Sequence, residues 1–465
     1  MRRGSITGPI ILLLIGALFL WRNLHPSLPI FDIMAQYWPF LLILWGLMRL
    51  VEALLWRDNQ SRGGSFTGGE MVLVILICMV GLGVWQAKEV GIHFNSHGLD
   101  IFGEEYDYPV SAAAPAAGMK RLVLENPRGN IHVIGGDGQQ VTVSGHKSIR
   151  SYERTDADRT SQNTPIEILP QGDRLVIRTN QDRSTDNSRI SDDLEITAPR
   201  GMAVEWRGNV GDADISDIDG DVELANNHGD ARLSRIGGNA RLELGRSDTV
   251  NAVDVKGKID LQGRGGDLSF ENISGLVTVS GSYSGTLEFK NLAKPLQFEG
   301  ERGTELHVEA IPGSISMDLS TLTGNGVVGP MRAVTRSRDI RLEQFSQSIE
   351  INTDRGDIEL QPGKTPLSAI QARSGVGAIE LVLPDRAAFQ LQATAERGDA
   401  VNDYGPPIEK EVDRRTATLR GKSGEGPAIS LTADHGTITV RKQGLDSGQS
   451  GAQPGKSLKD SEVKM

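Results

Sequence analysis

The chain has a single cysteine in 465 residues, Cys78, set in an apolar run. No disulfide can form within one chain, so burial alone must hold the fold together. Aromatic residues make up only 5% of the sequence, and five of the six tryptophans (Trp21, Trp38, Trp45, Trp56 and Trp85) fall in the first 85 residues. Beyond them only Trp206 and a few tyrosines remain, fewer rings than a sugar-binding cleft usually stacks on its substrate. An excess of positive charge is missing as well. The formal net charge is −11, and the first 100 residues carry seven Lys/Arg against six Asp/Glu, so the remainder carries about −12. Recognition of a phosphate backbone needs a basic face, which excludes nucleic acid as a partner. The eight histidines are scattered, with no metal-binding pair at helical spacing. No catalytic, cofactor-binding or metal-ligating residue is predicted, and no cofactor.

Long apolar runs are present, but only near the start: residues 6–21, 38–56 and 71–85. With their flanks each can cross a hydrocarbon core, which takes about 20 residues. This predicts three membrane helices, at about 6–23, 36–56 and 70–87. The first follows Arg2 and Arg3 in the manner of a signal peptide, but Trp21-Arg22-Asn23 comes next rather than a small-residue cleavage site, so it reads as a retained span. Arg2, Arg3, Arg57 and Arg62 flank one side and Arg22 and Lys88 the other. The richer side should be cytoplasmic, which places the N-terminus inside and everything after Trp85 outside, in the periplasm or beyond the cell. Arg49 and Glu52, three apart in the second span, can pair on one helix face. They read either as a docking point for a partner helix or as an inner-end pair that snorkels to the headgroups.

After residue 100 the glycines take over. Gly211, Gly220, Gly229 and Gly238 fall nine residues apart, and Gly257, Gly266, Gly275 and Gly285 resume the beat. Each opens a short apolar/polar alternation: Val222/Leu224, Ala231/Leu233, Ala240/Leu242/Leu244, Ile259/Leu261, Leu268/Phe270, Val277/Val279 and Leu287/Phe289. The pattern extends back to Leu122/Leu124 and on to Ile438/Val440. A period of two buries one face of a strand, and strands this short cannot stand alone. Stacked coils bury a continuous apolar column. The expectation is an all-β fold, a parallel β-solenoid (β-helix) of short stacked strands preceded by the three-helix transmembrane segment. Two units per coil give an 18–19-residue turn, preferred over three units and about 27. An antiparallel β-sandwich is the alternative, disfavoured by the unvarying nine-residue beat. The domains expected are a transmembrane region at 1–90, a linker at 91–119 with the spacer SAAAPAAG at 111–118, a solenoid at 120–442 and a disordered tail at 443–465. The polar stretches 150–164 and 180–193 read as loops leaving the repeat body.

Asp212, Asp230, Asp248 and Asp267 are 18, 18 and 19 residues apart, so a two-unit coil stacks them along one corner. They read either as a calcium ladder or as carboxylates that each cap their own turn; the calcium repeat G-G-x-G-x-D is absent. TGNGVVGP contains G-x-G-x-x-G at Gly324, Gly326 and Gly329, but Pro330 and further strand units follow where a dinucleotide site needs a helix. GSYSG at 281–285 carries Tyr283, not serine, at the place of a nucleophile.

Two resemblances add to this reading. GPIILLLIGALFLWRN and, after a short polar loop, YWPFLLILWGLMRLVE resemble the LiaI–LiaF-type transmembrane region of bacterial envelope-stress proteins, over about residues 6–56. The GD-x-Φ-x-Φ cadence, as in LEITAPRGMAVEWRGNVGDADISDIDGDVEL, resembles the bacterial "putative-adhesin" or "toast-rack" domain of unknown function, over about residues 120–442. Together they imply a LiaG-like envelope protein with a non-catalytic solenoid. The function expected is a multi-pass inner-membrane protein that is not an enzyme. It presents the solenoid for adhesion, scaffolding or partner binding, in a setting linked to envelope stress. Its partners would be the lipid bilayer and an envelope polymer, a membrane protein or further copies of itself. The alternative is a membrane-anchored β-helix polysaccharide lyase or hydrolase working through paired carboxylates.

Overall fold

The computed structural model describes residues 103–184, 189–363 and 365–444, the short strands His93–Asn95 and Gly98–Asp100, and the helical positions Ile43, Leu47, Ile75, Cys78 and Met79. The expected spans, the Arg49–Glu52 pair and the tail beyond residue 444 otherwise lie outside the described residues. Among the described residues no helix is long and apolar enough to cross a membrane.

The chain forms two compact units, Met1–Asp107 with Ser148–Asn163, and Tyr108–Lys147 with Thr164–Met465. In the first, His93–Asn95 pairs antiparallel with Gly98–Asp100, and the helix Arg154–Asn163 is polar apart from the buried Ala157. Exposed contacts join Arg150 to Glu105 at 3.1 Å and the Ser148 hydroxyl to Asp107 at 2.6 Å.

The second unit is a stack of two-stranded coils. Val204 stands beside Val222, Val222 beside Ala240, Ala240 beside Ile259, Ile259 beside Val277 and Val277 beside Leu296, all in parallel register. A second column runs from Ala213 through Ala231, Val250 and Leu268 to Leu287. The steps are 18 or 19 residues, so the coil holds two units, as the spacing predicts. Every inward pair named above is buried between the two columns, from Leu122/Leu124 to Ile438/Val440. Phe270 and Phe289 meet edge to face, centroids 5.9 Å apart, one coil on from each other.

Glycine serves the corners in two ways. At Gly229, φ is +138° and an added Cβ would lie 1.9 Å from the Gly211 carbonyl oxygen, so neither backbone nor space admits a side chain. At Gly238 the φ is ordinary, and the constraint is space alone: a Cβ would sit 2.5 Å from Gly220 of the coil before.

Three features depart from a simple parallel tube. The strand Glu305–Met317 runs antiparallel to both columns. Its first half lies beside Leu296–Gly300 and its second beside Leu287–Leu292. Thr321–Asn325 and Val328–Ser337 pair antiparallel to it in turn, and parallel stacking then resumes to the end. The apolar phase cannot reveal this, because alternation is the same in either strand direction.

The ends are also interleaved. The coil of Arg121–Glu125 and Ile131–Gly136 lies between Arg174–Arg178/Ile190–Pro199 and Ala203–Arg207/Ala213–Ser216. At the other end, Ala428–His435 and Ile438–Lys442 insert between Ile370–Val376/Ile379–Leu383 and Phe389–Arg397/Ala400–Asp403. Both terminal coils thus have backbone partners on each side. In the first column the stack is finished by antiparallel strands, Glu167–Gln171 at one end and Thr416–Ser423 with Ile408–Asp413 at the other.

Finally, the polar stretches are structured. Residues 150–164 contain the helix, and 180–193 contain the short turn Gln181–Arg183 and the start of the strand Ile190–Pro199. The spacer is likewise the end of the strand Glu104–Pro115, with Val110, Ala112 and Ala114 packed against the core. Alanine carries too little apolar contrast for its alternation to stand out in the sequence.

Candidate interaction surface

The outward faces of the coils carry the polar chemistry, because the interior is filled by aliphatic side chains. The aspartate corner is the most regular part. The N–H of Asn130 donates to Asp193 Oδ1 at 2.7 Å, and the N–H of Asp212 donates to Asn130 Oδ1 at 2.9 Å. The N–H of Asp230 reaches Asp212 Oδ1, and those of Asp248 and Thr249 both reach Asp230 Oδ1, each at 2.9 Å. Each carboxylate therefore binds the backbone of the next coil, not its own turn as the sequence suggests. The repulsion of stacked aspartates is offset by N–H dipoles lying between them. Asp267 leaves the column: the register shifts between Leu244 and Ser247, which sets Asp267 beside Thr249, and its Oδ1 accepts the N–H of Thr286 at 2.7 Å.

A second such column joins Asp221, Asn239 and Lys258, and a third joins Asp339, Asp357 and Ala378. At another corner Asp217, Arg235, Asp254, Asn272 and Asn291 all take φ between +50° and +60°. Arg235 grips Asp217 with two bonds, of 2.7 and 2.8 Å. That hydrogen-bonded guanidinium holds the Asp217 carboxyl below the usual carboxylate range.

Beside the aspartate corner runs an open groove of about 430 Å³. Register sets Glu195, His132, Asp214 and Arg232 in a row across four neighbouring strands. Asp214 lies 3.5 Å from His132 and 3.8 Å from Arg232, and His146 lies 3.5 Å from Asp193. No aromatic residue lines the groove, and the aspartates of its corner are engaged with backbone N–H groups. Among the described residues no three His, Cys, Asp or Glu side chains are grouped so as to hold a metal ion. A second groove, of about 530 Å³, follows the reversal strand past Gln297, His307, Arg332 and Glu350. Both are shallow tracks along the outer face of a sheet, suited to an extended or flat partner.

The remaining sequence candidates are structural. Gly324 ends one strand, Gly326 turns at φ +67°, and Gly329 lies in the next strand, so no helix follows the glycine motif. Tyr283 is buried, and burial raises its phenol. What the sequence reading missed is a buried polar node of Asn126, Lys147, Gln181 and Asp192. It left a trace: Lys147 shares the inward phase of Val141 and Val143, and Asp192 that of Ile190 and Leu194.

Residues 7–95 match the family described as the LiaF transmembrane domain, and residues 119–441 match the family described as Toastrack DUF4097. No curated protein matches the chain. Two solved structures are similar to it. One is of a "putative cell adhesion protein" from Clostridium sporogenes, 8% identical, covering 73% of this chain and 100% of its own, with a TM-score of 0.17. The other is of a "putative adhesin" from Bacteroides fragilis, 11% identical, covering 72% and 97%, with a TM-score of 0.18. Superpositions that low carry no argument about function. The family match spans more than two thirds of the sequence, and the chain belongs to the Toastrack DUF4097 family, with a LiaF-type transmembrane domain ahead of it.

Proposed function

We propose that this is a non-catalytic envelope protein that uses the faces of a stacked-coil domain, anchored in the cytoplasmic membrane, to bind an envelope polymer, a membrane protein or further copies of itself. The observation that carries the reading is the union on one chain of a LiaF-type transmembrane domain and a Toastrack domain with a filled core and open outer grooves. Three spans at about 6–23, 36–56 and 70–87 would place the N-terminus inside and the coils outside, in line with the Lys/Arg distribution. Helical Ile43, Leu47, Ile75 and Met79 present exposed apolar side chains, as lipid-facing positions would.

A carbohydrate-cleaving role finds less support. A lyase or hydrolase needs free paired carboxylates and usually stacking rings; the groove at the aspartate corner has its corner carboxylates tied to backbone and has no rings. In vivo crosslinking followed by affinity capture of the full chain should recover one envelope component. Replacing Asp214 and Arg232 together by alanine should abolish that recovery. Capture that survives this change takes the groove out of the account, and turnover of a wall polysaccharide by the purified chain overturns the non-catalytic reading. For topology, Cys78 should react with a membrane-permeant maleimide only.

A further inference from the structure

The node of Asn126, Lys147, Gln181 and Asp192 joins segments that are far apart in the sequence. Asn126 follows the first strand of the interleaved coil, Lys147 lies in Gln140–Ser151, Gln181 opens the short turn, and Asp192 lies in Ile190–Pro199. All four are more than nine-tenths buried. Gln181 Nε2 has three acceptors around it: Asp192 Oδ2 at 2.7 Å, the Arg128 carbonyl at 2.7 Å and Asn126 Oδ1 at 3.1 Å. An amide nitrogen has only two hydrogens to give. The Asn126 amide is spent on the carbonyls of Asp192 and Gly129. Lys147 Nζ donates to the Thr164 carbonyl and hydroxyl, and its distance to Asp192 Oδ1, 3.6 Å, is longer than a hydrogen bond. Among the described residues no donor reaches Asp192 Oδ1 or Gln181 Oε1. The node is therefore short of a donor, and its two unsatisfied acceptors belong to groups already joined at 2.7 Å.

We propose that Asp192 binds a proton in the folded protein and donates it from Oδ1 to Gln181 Oε1, making the node a clamp on the interleaved end coil that tightens as the surroundings turn acidic. The donor count requires one proton, and the acid–amide pair supplies a place for it. Among the described residues, the ionisable groups facing Asp192 are Lys147, across 3.6 Å, and its chain neighbour Asp193, which turns outward to His146 at 3.5 Å. Burial pushes the Asp192 carboxyl up to about 6, against the attraction of Lys147, and burial pushes the Lys147 amine down. The sign follows: the folded carboxyl keeps its proton to higher pH than the unfolded one. Its contribution is full below the ordinary carboxylate range and is lost as pH rises through about 6.

The test compares the full chain in detergent with its Asp192→Asn and His146→Gln variants, near pH 5 and near pH 7.5, by melting and by hydrogen exchange. Wild type should melt a few degrees higher near pH 5. His146→Gln should keep that shift. Asp192→Asn, whose amide can donate permanently, should lose most of it and melt at least as high as wild type near pH 7.5. An unchanged pH shift in Asp192→Asn overturns the proposal. Should that variant not fold, wild-type exchange decides. After correction for intrinsic rates, amides of residues 126–130 should be better protected near pH 5, and equal or weaker protection there overturns it.

Discussion

Asp230 Oδ1 accepts two backbone N–H groups from the coil beyond it, those of Asp248 and Thr249, both at 2.9 Å. An acidic side chain thus takes the role that a bound cation or a turn cap would otherwise have, and the coil spacing is fixed by covalent parts of the chain alone. Asp230→Ala strands both donors and should cost about 1–3 kcal/mol. Asp230→Asn keeps an acceptor oxygen and should cost less, since Asn130 already fills the equivalent place in the same column. Thermal melting of both variants checks this, and neither calcium nor a chelator should move the wild-type midpoint.

Gly229→Ala should be among the most damaging single-methyl additions in the domain. It combines a φ of +138° with a carbonyl oxygen 1.9 Å from the new carbon, and the strain alone costs about 1–3 kcal/mol before the overlap is relieved. Gly138→Ala, with ordinary φ and no close neighbour, should melt within a degree or so of wild type. Urea denaturation of the pair gives the comparison.

Truncation before Ala428 should be worse than loss of an edge strand. It withdraws Ala428–His435 and Ile438–Lys442 from between four strands, leaving partners unpaired on both sides in both columns. The expected outcome is loss of cooperative melting and protease cleavage near residues 389–403. A variant shortened by the edge strand Ile408–Asp413 alone should still melt cooperatively.

Phe270→Ala removes a ring buried against Phe289 and should cost about 3–5 kcal/mol. Arg235→Ala, on the exposed side, breaks a two-bond ion pair with Asp217 yet should cost less than about 1 kcal/mol, since solvent screens it. That small contribution should be present at neutral pH and fade as the medium becomes acidic enough to protonate Asp217, whose carboxyl is held low by Arg235. The acid dependence of Asp217 is thus opposite in sign to that of Asp192.

Much of this was legible in the sequence, for physical reasons that also mark where legibility stops. Alternation at Val222/Leu224 and its counterparts fixes which side chains face inward, and the 18–19-residue spacing of equivalent glycines fixes the coil. Neither fixes strand direction, so the reversal at Glu305–Met317 leaves no mark, and neither fixes neighbour order, so the interleaved ends stay hidden. The groove row of Glu195, His132, Asp214 and Arg232 depends on that order: His132 and Glu195 are adjacent only because the later coil wraps outside the earlier one. The node was visible in part, as opposite charges at inward positions of two strands, but the partnership of Lys147 with Asp192 needed the fold.

Register between neighbouring strands is the claim on which the stacked coils, the reversal and the groove all depend. Paired cysteines in a Cys78→Ser background test it directly. Asn251 and Ser269 are parallel partners, and Gln297 and His307 are antiparallel partners across the reversal. Neighbouring strands lie about 4.8 Å apart, within disulfide reach. Substituting cysteine at either pair should give an intramolecular disulfide under mild oxidation, seen by mass spectrometry of the digested chain, while Asn251→Cys with Gln297→Cys should not. Failure of both partner pairs to crosslink while the variants remain folded would contradict the account.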